Sequence, residues 1–190
     1  MIRSSTTTTV LLLVLMAGGL GWAVHARGPE ADEAREAAYR ENNLGVALLE
    51  QYNHKEAAEA FARALELDPD LALAQVNHAL ALFYIPELSA AKKAATETLE
   101  KQPKSPHLHY LLALIARLED EPQVAEEHLH EVLALDPDDF GANLVLGQLL
   151  VDEARYDEAL PVLEVAAKAD PVNASVAYSR AMALGRAGRR

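Results

Sequence analysis

Histidine is the residue of this chain best suited to metal binding or proton transfer. Seven are present. His107 and His109 stand two apart, and so do His128 and His130 inside EEHLHE, residues 126 to 131. On a helix, side chains two residues apart point about 200° from each other and cannot share one zinc ion as an HExxH pair does. His128 and Glu131, three apart, could. A charged run of this kind is more simply a solvated helix face, so no metal site is expected. Nucleophilic catalysis finds even less material. The chain has no cysteine, no G-x-S-x-G, no phosphate-binding glycine loop, and no Ser–His–Asp set in a pattern that its repeats would bring together. Neither an enzyme nor a cofactor is expected.

The elements that would have to position such residues are written in the prolines. LELDPD at 65–70 returns as LALDPD at 133–138, with LEKQPK between them and AKADPV beyond, so Pro69, Pro103, Pro137 and Pro171 are spaced by 34 residues. A fixed period of this length marks a repeat array. The composition agrees with helices in close contact: 51% of residues are apolar, many of them alanine, and only 5% are aromatic. Formal net charge is −12, and a surface so acidic repels phosphate backbones, which argues against nucleic acid as a partner.

Aligned at period 34, the columns agree where two helices must touch. Gly45, Ala79, Ala113, Gly147 and Ala181 form one small-residue column, and Ala57, Ala91, Ala125 and Ala159 form another. Without bulk at Cβ the two helices of a hairpin can approach closely. Larger columns flank them: Leu48, Leu82, Ala116, Leu150 and Leu184 on the first helix, Phe61, Ala95, Leu129 and Leu163 on the second. Each unit closes at its proline, because the residue before Pro is pushed out of the α region. Pro161 is expected in the first turn of a second helix, where its missing N–H is harmless, and Pro86 in a hairpin turn, where it stiffens the chain.

These columns resemble the tetratricopeptide repeat family, with its W-x₂-L-G-x₂-Y, A-x₃-F and P pattern. Leu44-Gly45, Leu48, Ala57, Phe61, Ala64 and Pro69 carry the likeness in the first unit. Leu146-Gly147, Leu150, Ala159, Leu163, Ala166 and Pro171 carry it in the fourth. The leading Trp is absent, with Glu41, Gln75, His109 and Asn143 in its place. The resemblance implies an all-α, right-handed solenoid of helix–turn–helix units at 38–71, 72–105, 106–139 and 140–173. Residues 174–190 supply the first helix of an incomplete fifth unit or a capping helix.

It also implies a concave groove lined by the first helices. Three columns should face it: Asn42, Val76, Tyr110, Leu144 and Tyr178; Val46, Leu80, Leu114, Gln148 and Met182; and Leu49, Phe83, Arg117 and Val151. Most are apolar, although some of them could pack between units instead. Tetratricopeptide domains that hold acidic chaperone tails use a clamp of Lys, Arg and Asn in these columns, and here Asn42 and Asn77 stand without the lysines. The expected function is a scaffold that binds a peptide or helical segment of another protein in an apolar groove. The alternative is a structural array docking to another domain or chain of a larger envelope protein.

Residues 1–26 differ from the rest, with one basic residue (Arg3), no acid, and an uncharged apolar run ending at Val24-His25-Ala26. This is the pattern of an export signal, cleaved after Ala26 or retained as an anchor through residues 6–25, and it places the array outside the cytoplasm. Membrane contact is expected through that segment alone. Residues 27–37 read as a polar spacer. A looser similarity, resting on phrases such as RENNLGVALLEQ (40–51), links the chain to exported bacterial proteins in which a tetratricopeptide array precedes FG-GAP-type propeller and ASPIC/UnbV segments; no propeller sequence is present here. In the last helix Val176, Ala183 and Ala187 are spaced to form a face that a second helix would cover, so either the chain continues or this face pairs with another chain.

Overall fold

The computed structural model describes residues 29–85 and 87–188. The expected export segment at 1–26 and the expected stiffening by Pro86 lie outside the described residues. Those described are helical with short connections: α1 (Pro29–Glu50), α2 (His54–Leu67), α3 (Ala72–Tyr84), α4 (Leu88–Lys101), α5 (Pro106–Leu118), α6 (Pro122–Leu135), α7 (Phe140–Asp152), α8 (Tyr156–Ala169) and α9 (Ala174–Arg186). Of these, none is long and apolar enough to cross a membrane.

The repeated phrase is a helix stop with an identifiable mechanism. Asp68, Gln102, Asp136 and Asp170, each directly before a proline, leave the helical region for extended or near-extended backbone with φ between −129° and −139°. The three aspartates then turn the chain. Asp68 Oδ1 accepts the N–H of Asp70 at 3.2 Å, Asp136 Oδ1 that of Asp138 at 3.1 Å, and Asp170 Oδ1 that of Val172 at 3.3 Å. Within each hairpin the first helix ends in a tight C-terminal motif. The N–H groups of Asn53, Glu121 and Arg155 donate to the carbonyls of Leu48, Ala116 and Leu150 at 2.8–2.9 Å. The residue just before each donor is left-handed: Tyr52 at φ 61°, Asp120 at 60° and Ala154 at 61°. These positions again recur at 34, and Pro86 stands in the same column.

Consecutive helices pack as hairpins, and the hairpins stack in chain order. First helices also touch first helices, α1 with α3, α3 with α5 and α7 with α9, whereas the second helices make no comparable contact with one another. The stack therefore curves with the first helices on its inner side. Ala57, Ala79, Ala91, Ala113, Ala125 and Ala159 are 0% exposed, as are Phe61, Ala95, Leu129 and Leu163. Small and large alternate across each hairpin. A Cβ on Gly45 would come 2.5 Å from the Phe61 ring, and one on Gly147 would collide with Cγ and Cδ2 of Leu163.

Three expectations are corrected. Residues 29–37, expected as a spacer, are helical and continuous with the first repeat helix in the 22-residue α1. Pro161 is the sixth residue of α8, not part of its first turn, so it removes a bond to the carbonyl of residue 157. The helix continues because Ala159, Leu163 and Ala166 are buried around it while the ring itself is exposed. On α9, Val176 and Ala183 are not open: they are 2% and 0% exposed, since α9 lies against α8 and α7 and these residues fill that seam. The face turned outward carries Ala181 and Leu184, the positions that meet a second helix in earlier units.

Candidate functional site

The inner face is built from alternate turns of the first helices, and its residues show the mixed burial of a surface that also cements the stack. Leu49, Val76, Leu80, Phe83, Tyr110, Leu114, Arg117, Leu144, Gln148, Val151 and Met182 are half-buried; Val46 and Tyr178 are exposed at 36% and 67%. Several have a structural duty as well. Val76, Leu80 and Phe83 pack on the core shared by α3, α4 and α5, and Tyr110, Leu114, Leu144 and Val151 on the core of the last units. Tyr110 lies over Gly141, where an added Cβ would come within 3.2 Å of its ring, and burial raises its hydroxyl above the usual phenol range. Asn42 is a correction to the groove set: it is 4% exposed, and its Oδ1 accepts from Asn77 Nδ2 at 3.0 Å, so it joins units one and two instead of facing a ligand.

Four residues meet in a hollow of the inner face: Phe83, Leu114, Arg117 and Leu118. Leu118 was not among the expected groove residues, nor was Tyr84, whose ring meets Phe83 at 5.8 Å and stacks on His54 at 4.9 Å. They are 63% and 50% exposed. The signal that could have found them is the period itself, because 84 and 118 are one column, and a large apolar pair recurring at a helix end has no reason to be there unless it meets something. Leu73, at 59%, extends the exposed apolar surface on α3.

The histidine region also differs from expectation. His109 is 7% exposed, and its Nδ1 lies 3.0 Å from Nδ1 of half-buried His128, so the pair crosses the α5–α6 hairpin instead of forming a solvated face. His109 Nε2 is 3.2 Å from the Pro103 carbonyl, which can only accept. His109 therefore donates through Nε2 and accepts through Nδ1 from the Nδ1–H of His128. No third ligand completes a metal site, and no group of three such residues occurs among the described residues. The role is structural, and it repeats. Gln75 Nε2 donates to the Pro69 carbonyl at 2.7 Å and Asn143 Nδ2 to the Pro137 carbonyl at 2.9 Å, each six residues upstream. The column without its tryptophan thus holds the linker prolines by hydrogen bonds.

Burial lowers His78 below its ordinary 6.5, and lowers His128 as well, there with the help of His109 and Lys92 and against Glu127 and Glu131. An imidazole with a lowered folded-state pKa takes up fewer protons than in the unfolded chain. Its contribution to stability is therefore complete above about 6.5 and shrinks as pH falls below that value. His78 occupies the column of Leu44, Leu112 and Leu146, against Leu65, Leu82 and Ala94. The variant His78→Leu is expected to gain about 1 kcal/mol at pH 7 and to flatten the loss of thermal midpoint between pH 7 and 5. An unchanged acid slope would show that His78 does not contribute to it.

Models of the tetratricopeptide repeat match residues 38–71, 76–140 and 116–183, together spanning most of the described residues. The chain belongs to the tetratricopeptide repeat family. Solved tetratricopeptide structures share its fold. YrrB, described as a TPR protein with an unusual peptide-binding site, is 23% identical over 84% of this chain and 82% of its own, with a TM-score of 0.67. The PilF structure from Pseudomonas aeruginosa is 22% identical over 83% of this chain and 71% of its own, with a TM-score of 0.71. A tetratricopeptide repeat protein from Parabacteroides merdae is 14% identical over 80% and 61%, with a TM-score of 0.69. At these identities the likeness speaks for the fold alone. Tetratricopeptide units bind protein or peptide partners.

Proposed function

We propose that this tetratricopeptide array is a protein-interaction scaffold whose inner face receives an extended or helical segment of a partner. The observation that carries the reading is the stripe of exposed large apolar residues on first helices of an otherwise acidic chain: Val46, Leu73, Tyr84, Leu118 and Tyr178. An apolar stripe on the inner side of a curved stack offers a partner helix or strand burial on three sides. Its most accessible members are the right ones to test, since Leu80 and Tyr110 also hold the core. With a photo-crosslinking residue in place of Leu118, the full chain should capture a partner in cells; the same residue at Val172, on a connecting loop, should not. Tyr84→Asp combined with Leu118→Asp should weaken that capture about 100-fold with helical circular dichroism unchanged. Capture that survives the double variant would remove the groove from the function.

The sequence pattern of residues 1–26 supports the further reading that the array works outside the cytoplasm, exported or held at the membrane. A periplasm-dependent reporter joined after Arg190 that stays inactive would overturn it. A second reading is favoured by one observation. Ala181 and Leu184 of α9 are exposed where earlier units cover the same positions with a second helix, which suits docking of the array to a further helix of another domain or chain.

A further inference from the structure

We propose that the middle of the groove is an acidic-residue subsite: the hollow of Phe83, Leu114, Arg117 and Leu118 takes a partner segment in which one Asp or Glu adjoins a large apolar side chain. This rests on the groove being the binding surface. Arg117 is the only cation among the groove columns. It is half-buried, and its recorded hydrogen bond is a long one, from Nη1 to the neutral Gln148 Oε1 at 3.4 Å. No carboxylate among the described residues pairs with it within 4.0 Å, although the chain carries 29 acids. Elsewhere cations find them readily. Arg155 is held by Glu126, Glu153 and Glu158 at 2.6–3.0 Å, Arg63 by Glu41 at 2.8 Å and Arg180 by Glu164 at 2.6 Å. Asp120, Asp152 and Glu153 line a neighbouring hollow that Arg117 also borders. Glu153 is taken by Arg155 and Gln123, and none of the three closes on Arg117.

A guanidinium has five N–H donors in a planar fork matched to a carboxylate, and it sheds water more easily than an ammonium. Here most of that capacity is free, and it is set against apolar walls where a charge-assisted pair is strong. Phe83, Leu114 and exposed Leu118 supply the apolar half of the subsite. The surrounding charge limits the ligand to a single acid. One cation in a chain of net −12 would attract one carboxylate but repel a tail of several, so the apolar neighbour has to provide the rest of the binding.

Panning a phage library of random short peptides against the immobilised full chain tests this. The peptides recovered should carry one Asp or Glu beside Leu, Ile, Phe, Met or Tyr. Arg117→Gln should bind them at least tenfold more weakly, and changing the peptide acid to its amide should cost the same on wild type and nothing further on Arg117→Gln. Arg117→Glu should shift selection toward Lys and Arg. Peptides that lose binding on Tyr84→Asp with Leu118→Asp but ignore every Arg117 variant would leave the groove reading standing and overturn the acidic subsite. Selection of polyacidic peptides would overturn it too. Peptides indifferent to both sets of variants, or none recovered, would overturn both readings.

Discussion

Gly147→Leu is expected to lower the thermal midpoint by roughly 2–12 °C, the consequence of about 1–3 kcal/mol of overpacking in an array of this length. Gly147 is buried in α7 directly against Leu163 of α8, and even a methyl group would meet Leu163 Cγ and Cδ2. Leu163 is 0% exposed, with its neighbours Ala159 and Ala166 at 0%, so it has no direction in which to retreat. The strain would be shared between a splayed α7–α8 hairpin and the seam with α9, which both helices touch. Glu127→Leu, on the exposed face of α6, provides the comparison and should shift the midpoint by little. Equal midpoints for the two variants, followed by circular dichroism on heating, would refute the assignment of Gly147 to the hairpin contact. Adding Leu163→Ala to Gly147→Ala should recover part of what Gly147→Ala loses, because the clash is pairwise.

Phe61→Ala should cost more, about 3–5 kcal/mol, since it empties the largest fully buried side chain of the first unit. Phe61 lies across Gly45 and packs with Ala57, Ala81, Leu48 and Leu49, which ties α2 to both α1 and α3. The loss need not remain at that value, because the second unit shows how the contact looks when both sides are small: Ala79 faces Ala95, each 0% exposed. In the Phe61→Ala background, Gly45→Ala should therefore restore roughly 1 kcal/mol, from the better helix propensity of alanine and partial filling of the void, while the same change in the wild type should destabilise. Urea titration of the four variants reads this directly. A Gly45→Ala effect of the same sign in both backgrounds would mean that the ring does not set the limit at position 45.

The two hairpins show a rule of packing that runs through the whole array. Gly45 with Phe61, Ala79 with Ala95, Ala113 with Leu129 and Gly147 with Leu163 keep the combined bulk of each hairpin contact within bounds, and both glycines face a large side chain. The polar residues Gln75, His109 and Asn143 do at the linkers what bulk cannot, by binding the carbonyl of each upstream proline. These two sets hold the curvature, and the curvature holds the inner face in place.

The sequence alone determined the period, the hairpin, the small-residue contacts and the helix stops, because each is a local or strictly periodic matter. A proline after Asp ends a helix whatever surrounds it, and a residue 34 positions on must meet the same kind of neighbour. Tertiary structure decided what depends on neighbours that the period does not specify. Asn42 shares the period of the groove columns but is held by Asn77 across the seam between units, and the hairpin brings His128 to 3.0 Å from His109. Val176 and Ala183 have the spacing of an open face, yet α8 and α7 cover them, since a helix with one neighbour missing still has two faces in contact. Arg117 was legible only as one member of a mixed column. That it borders an apolar hollow with no acid paired to it follows from how α3, α5 and α7 lie side by side on the inner face, which no spacing within one helix can state.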